Sequence, residues 1–197
     1  ADMSINAAFS SLFPVHAATG VKVLNDDAER DFSLPGRFPL SFQRSYNSLT
    51  QRAGLFGQGW ATVFDSYLTL EGNRATWFDD NGRELSFDVP GEKEVLYSIS
   101  EGLMVRRSET GDIAIADDDG AVWRLYRRTA ADPQVLRLAS LSDEYGNALE
   151  TGWDEQARLV RIHDAPLAID VTLHYDDRQH PRRPTSEIGR ASCRERV

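Results

Sequence analysis

The four histidines and the clusters of carboxylates are the residues of this chain whose types could do chemistry. His16, His163, His174 and His180 are the residues that could ligate a metal such as zinc. They show no H-E-x-x-H spacing, and no C-x-x-C pair completes a donor set, so structural or surface roles are expected of them. Asp117-Asp118-Asp119-Gly120 invites a calcium reading, because a hard cation wants several carboxylate oxygens. The alternating loop pattern is incomplete: Ile115 occupies the place of the first ligand, and Tyr126 stands at the closing position where a glutamate is needed. A solvated hairpin turn is the expectation there, and equally at Asp79-Asp80-Asn81-Gly82. Paired carboxylates would serve a glycosidase, but many of the acidic residues cluster at turn tips rather than on strand faces beside exposed aromatics. No G-x-S-x-G elbow, G-x-x-x-x-G-K-[ST] loop or G-x-G-x-x-G fingerprint occurs. The expectation is a non-enzyme with no catalytic residue, no metal site and no cofactor.

Trp60, Trp77, Trp123 and Trp153 would suit a sugar-binding groove if exposed. Trp77 and Trp123 fall in strand-like runs, where a large ring more often fills core or a wall. Gly57 and Gly59 flank Gln58 just before Trp60, which points to a tight turn or close backbone approach. Arg44 sits in a strand-like run and is expected to pair with a carboxylate that sequence alone does not name.

The elements that must position these residues are strands. Turn signals recur at Glu71-Gly72-Asn73, Asp79-Asp80-Asn81-Gly82, Pro90-Gly91, Glu101-Gly102, Thr110-Gly111-Asp112 and Asp117-Asp118-Asp119-Gly120. Gaps of about 8–12 residues are what an antiparallel meander requires, and Asn-Gly and Asp-Gly accept the positive φ of tight hairpin turns. Between the turns, Leu85/Phe87/Val89, Leu103/Val105, Ile113/Ile115 and Trp123/Leu125 alternate with polar residues, each set on one face of a strand. Leu34-Pro35-Gly36 makes a further turn, and a strand runs from Leu40 through Tyr46 with Leu40 and Phe42 on one face. An all-β, antiparallel, hairpin-rich sheet follows. Residues 1–13 read as an apolar arm, linker or short helix; 14–130 as the main β domain; and Ala130–Gln134, with Asp132-Pro133, as the connection to a second region at 136–186.

Composition bounds the partners. The chain has 197 residues, 41% hydrophobic and 27% charged, and a formal net charge of −9. That charge opposes attraction to a phosphate backbone or an anionic lipid surface, so neither nucleic acid nor membrane is expected. No run approaches the roughly 20 apolar residues of a spanning helix, and no signal-peptide-like leader is read at the start. The single Cys193 excludes a disulfide framework. Ala1 in place of Met suggests a processed start or a piece of something longer.

Three ordered segments carry a resemblance: Pro14-Val15-His16-Ala17-Ala18-Thr19-Gly20-Val21-Lys22-Val23-Leu24; Phe32-Ser33-Leu34-Pro35-Gly36-Arg37-Phe38-Pro39-Leu40 running into Gln43-Arg44-Ser45-Tyr46-Asn47-Ser48; and Gly54-Leu55-Phe56-Gly57-Gln58-Gly59-Trp60. Together they resemble the amino-terminal domain that precedes the repeats of Rhs/YD-repeat proteins. Downstream, Asp143-Glu144-Tyr145-Gly146-Asn147, Trp153-Asp154-Glu155-Gln156-Ala157-Arg158-Leu159 and His174-Tyr175-Asp176-Asp177-Arg178 resemble degenerate YD repeats. Trp153 stands where tyrosine is usual and Ala157 where glycine is usual. Such a repeat cannot bury its apolar face alone and must stack with neighbours. The resemblance gives His16 the part of orienting a turn.

The resemblance implies the start of a β-cocoon shell that encloses a carboxyl-terminal toxin, delivered to competitor cells through a type VI secretion apparatus. Its implied partners are the rest of the shell, the enclosed toxin, and a secretion component or chaperone. Its implied location is cytoplasmic before export and secreted or delivered after. The alternative from the acidic, aromatic-bearing strands is an extracellular carbohydrate- or surface-binding module. Residues 187–197 resemble the translation of a short-read sequencing adapter, which would make that tail, with Cys193, foreign to the protein and place the interruption near Ser186.

Overall fold

The computed structural model describes residues 23–24, 30–166 and 168–191. The expected arm at 1–13, His16, most of the first family-like segment and Cys193 lie outside the described residues. The chain is all-β and antiparallel. In order the strands are β1 (Val23–Leu24), β2 (Arg30–Leu34), β3 (Leu40–Gln43), β4 (Ser45–Asn47), β5 (Ala53–Gly54), β6 (Gly57–Gln58), β7 (Trp60–Ala61), β8 (Tyr67–Glu71), β9 (Arg74–Phe78) and β10 (Glu84–Asp88). They continue with β11 (Val95–Ser98), β12 (Leu103–Arg107), β13 (Ile113–Asp117), β14 (Val122–Arg128), β15 (Val135–Asp143), β16 (Ala148–Trp153), β17 (Leu159–Asp164), β18 (Ile169–His174) and β19 (Ser186–Ala191). A 3-10 turn, Val63–Asp65, separates β7 from β8.

The turns read from the sequence between Glu71 and Gly120 join consecutive paired strands, because glycine, asparagine and aspartate there accept the backbone angles that reverse the chain; Pro90-Gly91 is the exception, a connection that closes no hairpin, since β10 pairs with β9 and β11 with β12. The small amino-terminal strands form three sheets: β2–β3, β1–β4–β7 and β5–β6. The strand expected from Leu40 through Tyr46 is broken at Arg44, since β3 pairs with β2 while β4 pairs with β1 and β7. Arg44 makes a bidentate pair with Asp31, Nε to Oδ2 at 2.7 Å and Nη2 to Oδ1 at 2.5 Å.

The other twelve strands form one sheet, and it forks. One edge of β15 is covered along its length by β14. The opposite edge is divided: Val135–Arg137 pair with β8, and Ser140–Ser142 pair with β16. The meander β8–β9–β10 leaves from one half of that edge and the meander β16–β17–β18–β19 from the other. The 130–134 segment joins β14 to β15 within this sheet.

The core lies under the fork. Leu68, Leu136, Leu138, Leu149, Leu159 and Ile162 are fully buried, each worth about 1.5–3 kcal/mol of burial. Phe42 joins the amino-terminal hairpin to that core, stacking on Phe32 at 5.2 Å and on Phe64 at 5.5 Å. Alternation placed the core faces correctly at Leu103/Val105 and Ile113/Ile115 but not on β14. There Arg124 lies opposite Ile115 and Tyr126 opposite Ile113, so those two face inward. Trp123 and Leu125 take the other face and lie outside the core cluster. The inward arginine is tolerated because Asp117 (3.2 Å) and Asp80 (4.0 Å) flank it.

Candidate functional site

One turn geometry recurs along the sheet. After β9, Asp79 Oδ1 accepts the backbone N–H of Asn81 (2.9 Å) and of Arg83 (2.7 Å), while Oδ2 accepts Arg83 Nε at 2.7 Å. The backbone closes the same loop, Asp79 N–H to the Arg83 carbonyl at 3.1 Å. Between β15 and β16, Asp143 does the same with Tyr145, with the Asn147 backbone and with the Asn147 amide. Between β16 and β17, Asp154 does so with Gln156 (3.0 Å), the Arg158 backbone (2.8 Å) and Arg158 Nε (2.7 Å). Ser108 builds a shortened version, its hydroxyl accepting the Asp112 N–H at 3.0 Å. A short acceptor side chain that folds onto its own following backbone is what makes such a turn self-sufficient.

The fourth residue of each turn is left-handed. Gly82, Gly111 and Gly146 adopt it freely, and Ala157 adopts it at φ 58 against its Cβ. The hydrogen bond from the Asn147 amide holds the Asp143 carboxyl below its ordinary value. At Asp154 partial desolvation pushes upward, but the bonds from the Arg158 backbone and side chain outweigh it, and the net shift is downward.

A second arrangement appears twice in succession. The Trp153 indole N–H reaches back to the Leu138 carbonyl at 2.7 Å, and the guanidinium of Arg137 lies 5.6 Å over the indole ring. The Tyr175 hydroxyl reaches back to the Leu159 carbonyl, also at 2.7 Å, and Arg158 lies 4.8 Å over its ring. Arg-Leu followed by an aromatic residue and Asp therefore describes both 137–154 and 158–176. The two departures from the expected repeat are accommodated in place: the indole N–H of Trp153 does what the phenol of Tyr175 does, and Ala157 holds the glycine conformation.

The remaining sequence candidates are dispersed. His163 lies 3.7 Å from Glu150 on the neighbouring strand, His180 Nδ1 lies 2.9 Å from Asp177, and His174 ends β18. Asp117 pairs with Arg124 and Asp119 takes the Ala121 N–H at 2.9 Å, so that cluster is a turn. Among the described residues no group of three or more His, Cys, Asp or Glu converges as metal ligands, and no helix is long and apolar enough to cross a membrane. Trp77 is buried at 2% exposure and gives its N–H to Tyr126, which removes it as a sugar platform. Trp123 carries Arg106 over its ring at 3.4 Å, and Trp60 packs on Tyr46 at 5.0 Å. Gly57 and Gly59 have φ of 103° and 81°, the positive values expected of that turn.

The edges of the large sheet are the other notable feature. Among the described residues, β10, β11 and β19 each pair on one side only. The β19 pairing with β18 is made by backbone, which any run without proline can supply.

Residues 13–87 match the family described as a domain of unknown function, DUF6531. The chain is 28% identical over 164 residues to the double-stranded DNA deaminase toxin A of Burkholderia cenocepacia (strain H111), a match covering 81% of this chain and 11% of that protein. It is 27% identical over 148 residues to the tRNA nuclease WapA of Bacillus subtilis (strain 168), covering 74% of this chain and 6% of that one. The chain is similar to toxin proteins. It spans only a small part of the length of either relative.

Proposed function

We propose that this chain is a non-catalytic wall segment of an Rhs/YD-repeat polymorphic toxin, lying ahead of and within the first repeats of a shell that encloses a carboxyl-terminal toxin. The observation that carries the reading is the pair of successive Arg-Leu…aromatic-Asp arrangements at 137–154 and 158–176, joined to aspartate turns of one geometry. Units that hand a hydrogen bond and a cation back to the preceding strand are built to be continued. The single-sided edges of β10, β11 and β19 support the same reading, because an edge left bare invites strand addition.

In this account the wall excludes solvent and proteases from the enclosed domain, docks to a secretion component or chaperone, and leaves the cytoplasm by type VI secretion for competitor cells. Its partners are the rest of its own shell and the toxin. The activities named for the two relatives, deaminase and nuclease, would belong to such an enclosed domain and not to this segment.

The test is a long, adapter-free read of the gene across the Ser186 codon, followed by limited proteolysis of the full-length product. Continuation into many YD repeats and a distinct last domain that resists protease until the wall is unfolded is the expected result. An open frame that stops where this chain stops, or a last domain cleaved as fast in the intact protein as when freed, would sink the proposal.

A further inference from the structure

A cleft of about 350 Å³ opens where β8 and β16 part from the shared edge of β15. Four guanidinium groups line it, those of Arg52, Arg137, Arg158 and Arg182, against a single carboxylate, Asp65. This concentration of positive charge stands out in a chain whose net charge is −9. Asp65 is already engaged: its Oδ1 accepts the Leu55 N–H at 2.6 Å, and its Oδ2 accepts both the N–H and the hydroxyl of Thr62 at 2.8 Å. Arg158 has Asp154.

Arg52 and Arg137 are otherwise placed. Arg52 gives one nitrogen to the Asp79 carbonyl at 3.0 Å, and its Nη1 is buried without a partner among the described residues. The same holds for Nε of Arg137. Rings hold both groups flat. Arg52 lies 5.4 Å over Tyr67, and Arg137 lies 5.0 Å over the same ring and 5.6 Å over Trp153. Burial, with Arg182 and Arg52 nearby, lowers the pKa of Arg137. Stacking orients a guanidinium fork but does not satisfy its N–H groups, and desolvated like charges repel.

The geometry points to an anion site in this cleft that takes a carboxylate, the acidic side chain of an extended peptide. Arginine forks match the planar carboxylate with two parallel hydrogen bonds, which a lone point charge does not require. The cleft is of the size that admits one side chain with its flanking backbone. The net charge of −9 on the chain as a whole disfavours a polyphosphate strand.

The test titrates the whole chain with an acetylated, amidated Gly-Glu-Gly peptide, its Gly-Gln-Gly twin, and inorganic phosphate, followed by calorimetry. Saturable binding of the glutamate peptide, weaker by about tenfold or more for the glutamine twin and in Arg137→Lys, is expected. Arg182→Gln, at the exposed rim, should weaken binding with the far-UV spectrum and urea midpoint unchanged, and it carries the test should Arg137→Lys fail to fold. Equal binding of the two peptides, binding unaffected by Arg182→Gln and any folded Arg137→Lys, or phosphate binding without peptide binding overturns the assignment.

Discussion

Trp77 gives its indole N–H to the phenolic oxygen of Tyr126 at 2.8 Å, and Ser66 Oγ lies 2.9 Å from that same oxygen. Ser66 spends its own hydrogen on the Val63 carbonyl at 2.6 Å, so the tyrosyl hydrogen is the one shared with Ser66. Three polar groups from the 3-10 turn, β9 and β14 are thereby satisfied inside an apolar core. Tyr126→Phe would leave the indole N–H and the Ser66 oxygen short of a partner. We expect a loss of about 1–3 kcal/mol in unfolding free energy, measured by urea titration against wild type, and a loss near zero would show that water replaces the hydroxyl.

Alkaline stability follows from the same residue. Burial pushes Tyr126 far above the ordinary phenol value of 10.0, and burial pushes Tyr175 up to about 12. Both groups keep their protons in the folded state while the unfolded chain loses them, so their contribution is complete below pH 10 and falls as pH rises toward the folded values. Thermal midpoints should drop between pH 10 and 12, and Tyr175→Phe should make that drop shallower.

Ala157 offers a gain. It holds a left-handed φ of 58 in a turn whose equivalents use glycine. Ala157→Gly removes the Cβ strain at the cost of some unfolded-state entropy, and a net stabilisation of about 1 kcal/mol is expected. Chemical denaturation decides it; a lower midpoint in the glycine variant would refute the strain argument.

The acid limb tests the aspartate turns. Asp154 is held below its ordinary 3.8 by the bonds from Arg158, which outweigh its desolvation. Its contribution is therefore full above pH 3.8 and lost as pH falls through the lower folded value. Asp154→Ala should cost about 1–3 kcal/mol at neutral pH through three lost hydrogen bonds. It should also flatten the stability profile below pH 4, whereas an unchanged acid limb would mean that other carboxylates govern it.

The meander was legible because its information is local. Asp79-Asp80-Asn81-Gly82 and Asp117-Asp118-Asp119-Gly120 are read as turns from four residues each, and Ile113 and Ile115 show their shared face two residues apart. On β14 the same reading fails, since Trp123/Leu125 and Arg124/Tyr126 both alternate; only the register against Ile113 and Ile115 decides which pair is inside. The partner of Arg44 depends on the register of β2 against β3, and the convergence of Arg52, Arg137, Arg158 and Arg182 on pairings between distant strands. Charge spacing along the chain holds no trace of them. The aspartate turns lie between: Asp154 and Arg158 are visible in sequence, but their equivalence with Asp143 and Asn147 emerges only when the acceptor atoms are compared.

The divided edge of β15 also orders events in time. Its neighbours β14 and β16 adjoin it in sequence and close short loops, which costs little chain entropy. Pairing with β8 instead brings Thr69 to Val135 across the longest loop in the sheet, which costs the most chain entropy to close. The hairpins on either side are therefore expected to assemble first, and the junction that gathers the arginines to be the last piece of the sheet to lock.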